Sequence, residues 1–232
     1  MPTFEEIYAY HAAEYDALIS REDYQGNLLK TLAAIRPLAG LDVVEMGAGT
    51  GRFTRMLAPH VKSIRAYDAS QHMLDKAAET LRALGVSNWT VQAADNRAIP
   101  AEDGSADLSI AGWSFGHSVA WYPDTWRIEI GKAIGELTRV LRLGGAAVIV
   151  ETLGTGAETP NPPTPGLAAY YAWLESEHGF TRTAIRTDYQ FESLAEAESL
   201  ARFFFGDAMG DAVIRKQWVI LPEYTGVWVK RL

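Results

Sequence analysis

The chain has 232 residues, 48% hydrophobic and 22% charged, which is close to globular averages and leaves ample apolar material for one α/β domain with a small cap. A formal net charge of −8 repels phosphate backbones and anionic lipid, so neither nucleic acid nor a membrane is the expected partner. Cysteine is absent, which removes disulfides, thiolate nucleophiles and cysteine zinc sites; no apolar run approaches a membrane span of ~20 residues. The opening residues 1–6 are acidic rather than basic and then apolar, so a cytoplasmic location is expected.

Residues 3–38 carry Tyr, Leu, Ile and Ala at helical spacing, interrupted around 20–23, and read as two helices. A short apolar strand follows at 41–46, then the glycine run 47–51, then a helix over 52–58. The alternation continues with strand 63–67, helix 70–84, strands 90–93 and 106–111, helix 126–141 and strand 146–151. Such alternation predicts a parallel sheet covered on both faces. Arg142-Leu143-Gly144-Gly145 reads as a helix end with glycine in a left-handed position. Residues 154–166, with four prolines, read as a loop over the sheet edge. Beyond it come a helix at 167–178 bearing Tyr170, Tyr171 and Trp173, a strand at 183–189, a helix at 193–205 and a last strand at 227–229.

Glu45-Met46-Gly47-Ala48-Gly49-Thr50-Gly51 ends a strand and opens a helix. Glycines there permit positive φ and close approach of a ligand to the backbone, and a helix start offers N–H groups to a carboxylate or phosphate. A tight strand-to-helix turn with no ligand would use the same residues. Two acids weigh against that bland reading. Asp68 follows the second strand at a distance suited to ribose hydroxyls, and Asp95 follows the third, where an adenine edge would lie. The dinucleotide pattern would need a glycine at position 52, where Arg52 stands, so a nicotinamide oxidoreductase is disfavoured. Glu45 before the loop suits a cationic ammonium better than a polyphosphate, and the sign of charge favours S-adenosylmethionine.

The segment 44–54 resembles the first motif of class I S-adenosylmethionine-dependent methyltransferases of the ubiquinone-biosynthesis-like, type 11 group. Further matches are Tyr67-Asp68-Ala69-Ser70 with Met73-Leu74, Ala94-Asp95 with Ile99-Pro100, Asp107-Leu108, and residues 139–145. Ala48 departs from a frequent cysteine. The resemblance implies a Rossmann-like, mostly parallel seven-stranded sheet with an antiparallel last strand, helices on both faces and an N-terminal helical lid. The lid would be 1–38 and the cofactor domain 39–232, with 154–180 a loop-helix insertion over the substrate site. The resemblance further implies that Gly47, Ala48, Gly49 and Gly51 form the cradle, with Glu45 ordering the loop or the amino group. Asp68 would hold the ribose, Ala69 and Met73 would pack on adenine, and Ala94 and Asp95 would meet its amine.

The fourth strand end, Gly112-Trp113-Ser114-Phe115-Gly116-His117, faces the methyl donor in such folds. Gly112 and Trp113 are therefore assigned to the cofactor. His117 is the candidate for proton removal or substrate orientation, against a helix-start histidine bonded to a carbonyl. Tyr15 is a candidate for the cofactor carboxylate; Tyr8, Tyr10 and His11 lie on the same helices and would serve equally as packing. Trp113, Trp121, Tyr122, Trp126, Tyr170, Tyr171 and Trp173 either line a pocket for a planar or apolar small molecule or form core. His60, His72 and His178 show no metal-ligand spacing, and no metal is expected. Arg182, Arg186 and Arg215 could meet an acidic substrate or be solvated charge. The expected activity is methyl transfer from S-adenosylmethionine to an O, N or C nucleophile of a small molecule, leaving S-adenosylhomocysteine; a non-catalytic module binding the same cofactor would keep the same cradle. Nothing in the sequence speaks to oligomeric state.

Overall fold

The computed structural model describes residues 3–232; Met1 and Pro2 of the expected lid lie outside the described residues. The strands are β1 (Asp42–Met46), β2 (Ser63–Asp68), β3 (Trp89–Ala93), β4 (Ala106–Gly112), β5 (Leu141–Thr155), β6 (Thr181–Arg186), β7 (Tyr189–Gln190), β8 (Ile220–Leu221) and β9 (Glu223–Arg231). Seven of them form one sheet in the order β3-β2-β1-β4-β5-β9-β6. β1 pairs in parallel with β2 and β4, β2 with β3, and β4 with β5. β9 runs antiparallel to both β5 and β6, which makes it the reversed last strand that the sequence suggested.

The helices are α1 (Phe4–Tyr10), α2 (Ala12–Ile19), α3 (Asn27–Ile35), α4 (Arg52–Leu57), α5 (Gln71–Ala83), α6 (His117–Trp121), α7 (Trp126–Arg139), α8 (Pro165–Ser176), α9 (Leu194–Phe205) and α10 (Asp207–Lys216). Strand side chains alternate between faces, so each central strand feeds two cores. On one face Val44, Met46, Ala147, Ile149 and Trp228 pack with Ile130 and Leu137 of α7 and Tyr170, Tyr171 and Trp173 of α8. On the other, Val43, Ile64, Leu108, Val148 and Val227 pack with Leu28 and Leu32 of α3 and Phe53 and Leu57 of α4. A third cluster joins Leu18 of α2 to α9 and α10.

Several elements differ from the sequence reading. The amino-terminal segment holds three helices rather than two. The helix expected to reach residue 141 ends at Arg139, and Leu141 already pairs with Ala106 in β5. Gly144 is left-handed as expected, with φ 77°, but it lies in an irregular stretch of β5 instead of capping a helix. Arg142 explains the early switch: its guanidinium binds Asp107 at 2.8 Å and Asp42 at 3.0 Å, tying the β5 entry to β4 and β1. β5 runs on to Thr155, so the loop starts after it.

The strand expected at 183–189 is broken after Arg186. There Asp188 accepts from the Arg186 Nε at 2.7 Å and from the Glu223 amide at 2.9 Å, and the chain turns to pair β7 with β8 in a separate two-stranded sheet. α10 had no counterpart in the sequence reading; Gly206, at φ 90°, separates it from α9. Tyr170, Tyr171 and Trp173 of α8 are core residues, and the start of that helix meets α6 where Gly166 lies beside Val119, with Leu167 beside Gly116.

Trp228 is 0% exposed, stacks obliquely on Tyr171 at 4.6 Å and donates its indole N–H to Glu175 at 3.0 Å. Trp228→Ala is expected to lower stability by about 3–5 kcal/mol in urea unfolding, whereas Leu143→Ala, at a side chain left in water, stays within about 0.5 kcal/mol.

Candidate active site

The strand order reverses between β1 and β4, and crevices at such switch points open at the carboxyl ends of the strands. The glycine loop leaves β1 there. Gly47, Gly49 and Gly51 have φ of 70°, 54° and 82°, values that L side chains rarely adopt. At Gly47 space is the stronger constraint, because a Cβ would fall 1.9 Å from Ser114 Oγ.

The loop is held from β2. Gly49 N–H donates to Asp68 Oδ2 at 2.8 Å and Ser70 N–H to Asp68 Oδ1 at 2.8 Å. Ala48 N–H donates to the Tyr67 carbonyl and Gly51 N–H to that of Ala48, each at 2.9 Å. The amides expected to serve a ligand are thus used within the protein at Ala48, Gly49 and Gly51. The loop offers shape, and Asp68 keeps spare lone pairs on both oxygens.

Beside the loop lies a cavity of about 430 Å³. Tyr15, Glu45, Gly47, Ala48, Gly49, Asp68, Ala69, Met73, Asp95, Gly112, Trp113 and His117 all line it. Gly51 and Ala94 do not reach it. A Cβ on Gly51 would meet that of Ala77 at 3.0 Å, so this glycine lets α4 approach α5. Ala94 packs toward the core and donates its N–H to the Asp68 carbonyl at 2.9 Å.

The amino-terminal helices close one side. Tyr8 and Tyr15 line the cavity, whereas Tyr10 is exposed and His11 faces Phe203. Ser70 Oγ donates to the Tyr8 carbonyl at 3.0 Å. Thr50 Oγ1 and Arg55 Nη2 donate to Asp16 at 3.0 and 2.8 Å. Arg52 binds Glu22 at 2.7 Å and lies 4.0 Å over the Trp113 ring. Trp113 is a non-glycine residue at φ 48°, and Phe53 stacks on it.

His117 begins α6. Its Nε2 hydrogen-bonds the Tyr8 hydroxyl at 2.8 Å, and its ring stacks on Trp121 at 5.1 Å. Trp113, Trp121 and Tyr122 line the same cavity, while Trp126, Tyr170, Tyr171 and Trp173 are core. Asp95 accepts from Arg97 Nε at 2.8 Å, and Arg97 also reaches Glu129 at 2.7 Å. Arg182 and Arg186 are paired with Glu175 and Asp188, away from the cavity. Among the described residues, no group of three or more His, Cys, Asp or Glu side chains could hold a metal.

Sequence reasoning missed Asn96 and Ser114, which line the cavity and share a hydrogen bond of 2.9 Å. Asn96 directly follows Asp95, and Ser114 lies in the segment after β4, so adjacency to the chosen residues was the available signal.

Buried carboxyls surround the site. Burial pushes Glu45 up to about 8, opposed by the Thr54 hydroxyl that donates to it. Burial likewise pushes Glu151 up to about 8, opposed by the Gly116 amide. Asp68 is raised by burial, with the Ser70 and Gly49 amides pulling the other way.

Residues 43–145 match the model of a family described as a methyltransferase domain. YafE of Escherichia coli, an uncharacterized protein, is 26% identical over 186 residues, which cover 80% of this chain and 77% of that one. The demethylmenaquinone methyltransferase of Lactococcus lactis is 28% identical over 154 residues, 64% of this chain but only 58% of the relative's length. The crystal structure of YcgJ from Bacillus subtilis shares the fold with a TM-score of 0.60 at 17% identity, over 89% of this chain and 96% of that one. Residues 43–145 thus resemble a methyltransferase domain, and the chain shares the fold of YcgJ.

A carboxyl whose pKa is higher folded than unfolded stabilises the fold below its unfolded value, and that contribution is lost as pH rises toward the folded value. For Glu45 and Glu151 the window runs from 4.5 to about 8. The urea midpoint is expected to fall between pH 5.5 and pH 8.5, less steeply in Glu45→Gln; a midpoint rising over that range would contradict the assignment.

Proposed function

We propose that this protein transfers the sulfonium methyl of S-adenosylmethionine to a small-molecule acceptor. The observation that carries this reading is the convergence of the glycine bend, Asp68 and Asp95 on one cavity whose other wall bears His117 and three aromatic rings. The residues fit an adenosyl sulfonium better than a dinucleotide, since the Ala48, Gly49 and Gly51 amides are already bonded and unavailable to a diphosphate. When bound, the cofactor supplies an electrophilic methyl that needs only an aligned nucleophile and a dry site.

Asp68 accepts from the ribose hydroxyls, Ala69 and Met73 pack on the adenine, and Asp95 accepts from its amine. Gly47, Ala48, Gly49, Gly112 and Trp113 admit the methionine portion, with Tyr15 and Glu45 at its end. Glu45, neutral until about pH 8, ionises beside an ammonium group. His117, oriented by Tyr8, takes the acceptor's proton or positions its nucleophile. Trp113, Trp121 and Tyr122 favour a planar or apolar acceptor, and the relative named demethylmenaquinone methyltransferase is consistent with that class. An acidic, cysteine-free chain suits a cytoplasmic enzyme. Residues 3–38 serve as the lid, through Tyr8, Ala9, Tyr15 and Ile19 on the cavity wall.

Methyl transfer to a library of phenols, quinols, amines and carboxylic acids, followed by mass, tests the reading; no product with any acceptor class would count against turnover. Asp68→Ala is expected to weaken S-adenosylhomocysteine binding by about 1.5–3 kcal/mol, roughly 10- to 150-fold in calorimetry. His117→Gln is expected to flatten the acid limb of the pH–rate profile, and an unchanged profile would remove the histidine from proton transfer.

A further inference from the structure

α6 is five residues long and buries none of its own side chains. A helix so short has no stability of its own, so its place depends on what ties it to neighbours. The His117–Trp121 stack lies within the helix and cannot set its position. Val119 packs against the core and Gly166, and two polar ties also reach outward. One is the bond between His117 Nε2 and the Tyr8 hydroxyl on the amino-terminal helices. The other comes from the sheet: Glu151 Oε1 on β5 accepts the Gly116 N–H at 2.8 Å.

Glu151 is 4% exposed. Burying a carboxyl is costly unless it is well paired, and no cation pairs with this one among the described residues. Its partner is the Gly116 backbone amide. The fit around that amide is close, since a Cβ on Gly116 would lie 3.0 Å from Glu151 Oε2 and 3.1 Å from Leu167 Cδ2. Behind the carboxyl, the Tyr170 hydroxyl is buried without a hydrogen-bond partner, so the polar group on that side gives Glu151 no alternative hold.

We propose that Glu151 is a positioning residue: through the Gly116 amide it fixes the entry of α6 and thereby the place of the His117 imidazole against Tyr8 and the cavity. This inference rests on the reading of His117 as a site residue. Glu151 itself does not line the cavity.

The test compares wild type, Glu151→Gln and Glu151→Leu by the long-range proton–nitrogen spectrum of the His117 ring, assigned with His117→Gln. Wild type and the Gln variant, which keeps an oxygen for the Gly116 N–H, are expected to show one resolved tautomer pattern. The Leu variant is expected to lose it, with ring signals averaged toward those of a free imidazole. S-adenosylhomocysteine affinity should stay within about twofold in all three, because the cradle stands on β1 and β2. Failure of the cofactor reading would show as absent binding in wild type, and is thereby separate. A Leu variant with the wild-type ring pattern, or a Gln variant as disturbed as Leu, overturns the proposal. Should the Leu variant not fold, amide exchange in wild type decides: the Gly116 N–H is expected to exchange at least ~100-fold slower than an open peptide, and exchange at the open rate overturns the tether.

Discussion

The site depends on one carboxylate. Asp68, at the end of β2, accepts one amide from the glycine loop and one from the start of α5, so neighbouring strand ends and the helix after them are fixed by a single buried group. Hydrogen bonds to a charged acceptor contribute about 1.5–3 kcal/mol each, enough to hold a bend that has three residues at positive φ. The Gly47 contact with Ser114 adds a steric lock from β4. Together they keep the loop in place whether or not a ligand is bound, which is the preorganisation a cofactor site requires.

The cover over this site is built differently. α1 and α2 reach the body of the protein through Ser70, Thr50 and Arg55 and through the packing of Leu18 on α9 and α10, and Glu22, just after α2, binds Arg52. The Arg52–Glu22 pair is buried and the Arg55–Asp16 pair is partly so, and they act beside the apolar packing of Leu18. The sheet-end cradle below and the amino-terminal helices above enclose the cavity between them. His117 sits where the two meet, bonded to the cover through Tyr8 and carried by a helix tied to the sheet.

The succession of the first strands was readable because β1, β4 and β5 carry buried apolar runs, and the glycines and Asp68 stand at strand ends. The second half resisted. The break after Arg186 depends on Asp188 meeting Glu223, 35 residues away, and the end of α7 depends on Arg142 meeting Asp42, 100 residues away. Local pattern contains neither pairing. Within the site, the acids and glycines announced themselves by position, whereas Asn96, Ser114 and Glu151 matter through contacts across strands. Gly51 illustrates the converse, a motif glycine whose space is taken by Ala77 rather than by the cavity.

A crystal structure grown with S-adenosylhomocysteine tests the central claim most directly. The account predicts density filling the crevice beside residues 47–49, with ribose hydroxyls on Asp68, the adenine against Ala69 and Met73, and the sulfur turned toward the wall that bears His117. A crevice shut by side chains, or one that accepts a diphosphate in its place, would contradict it.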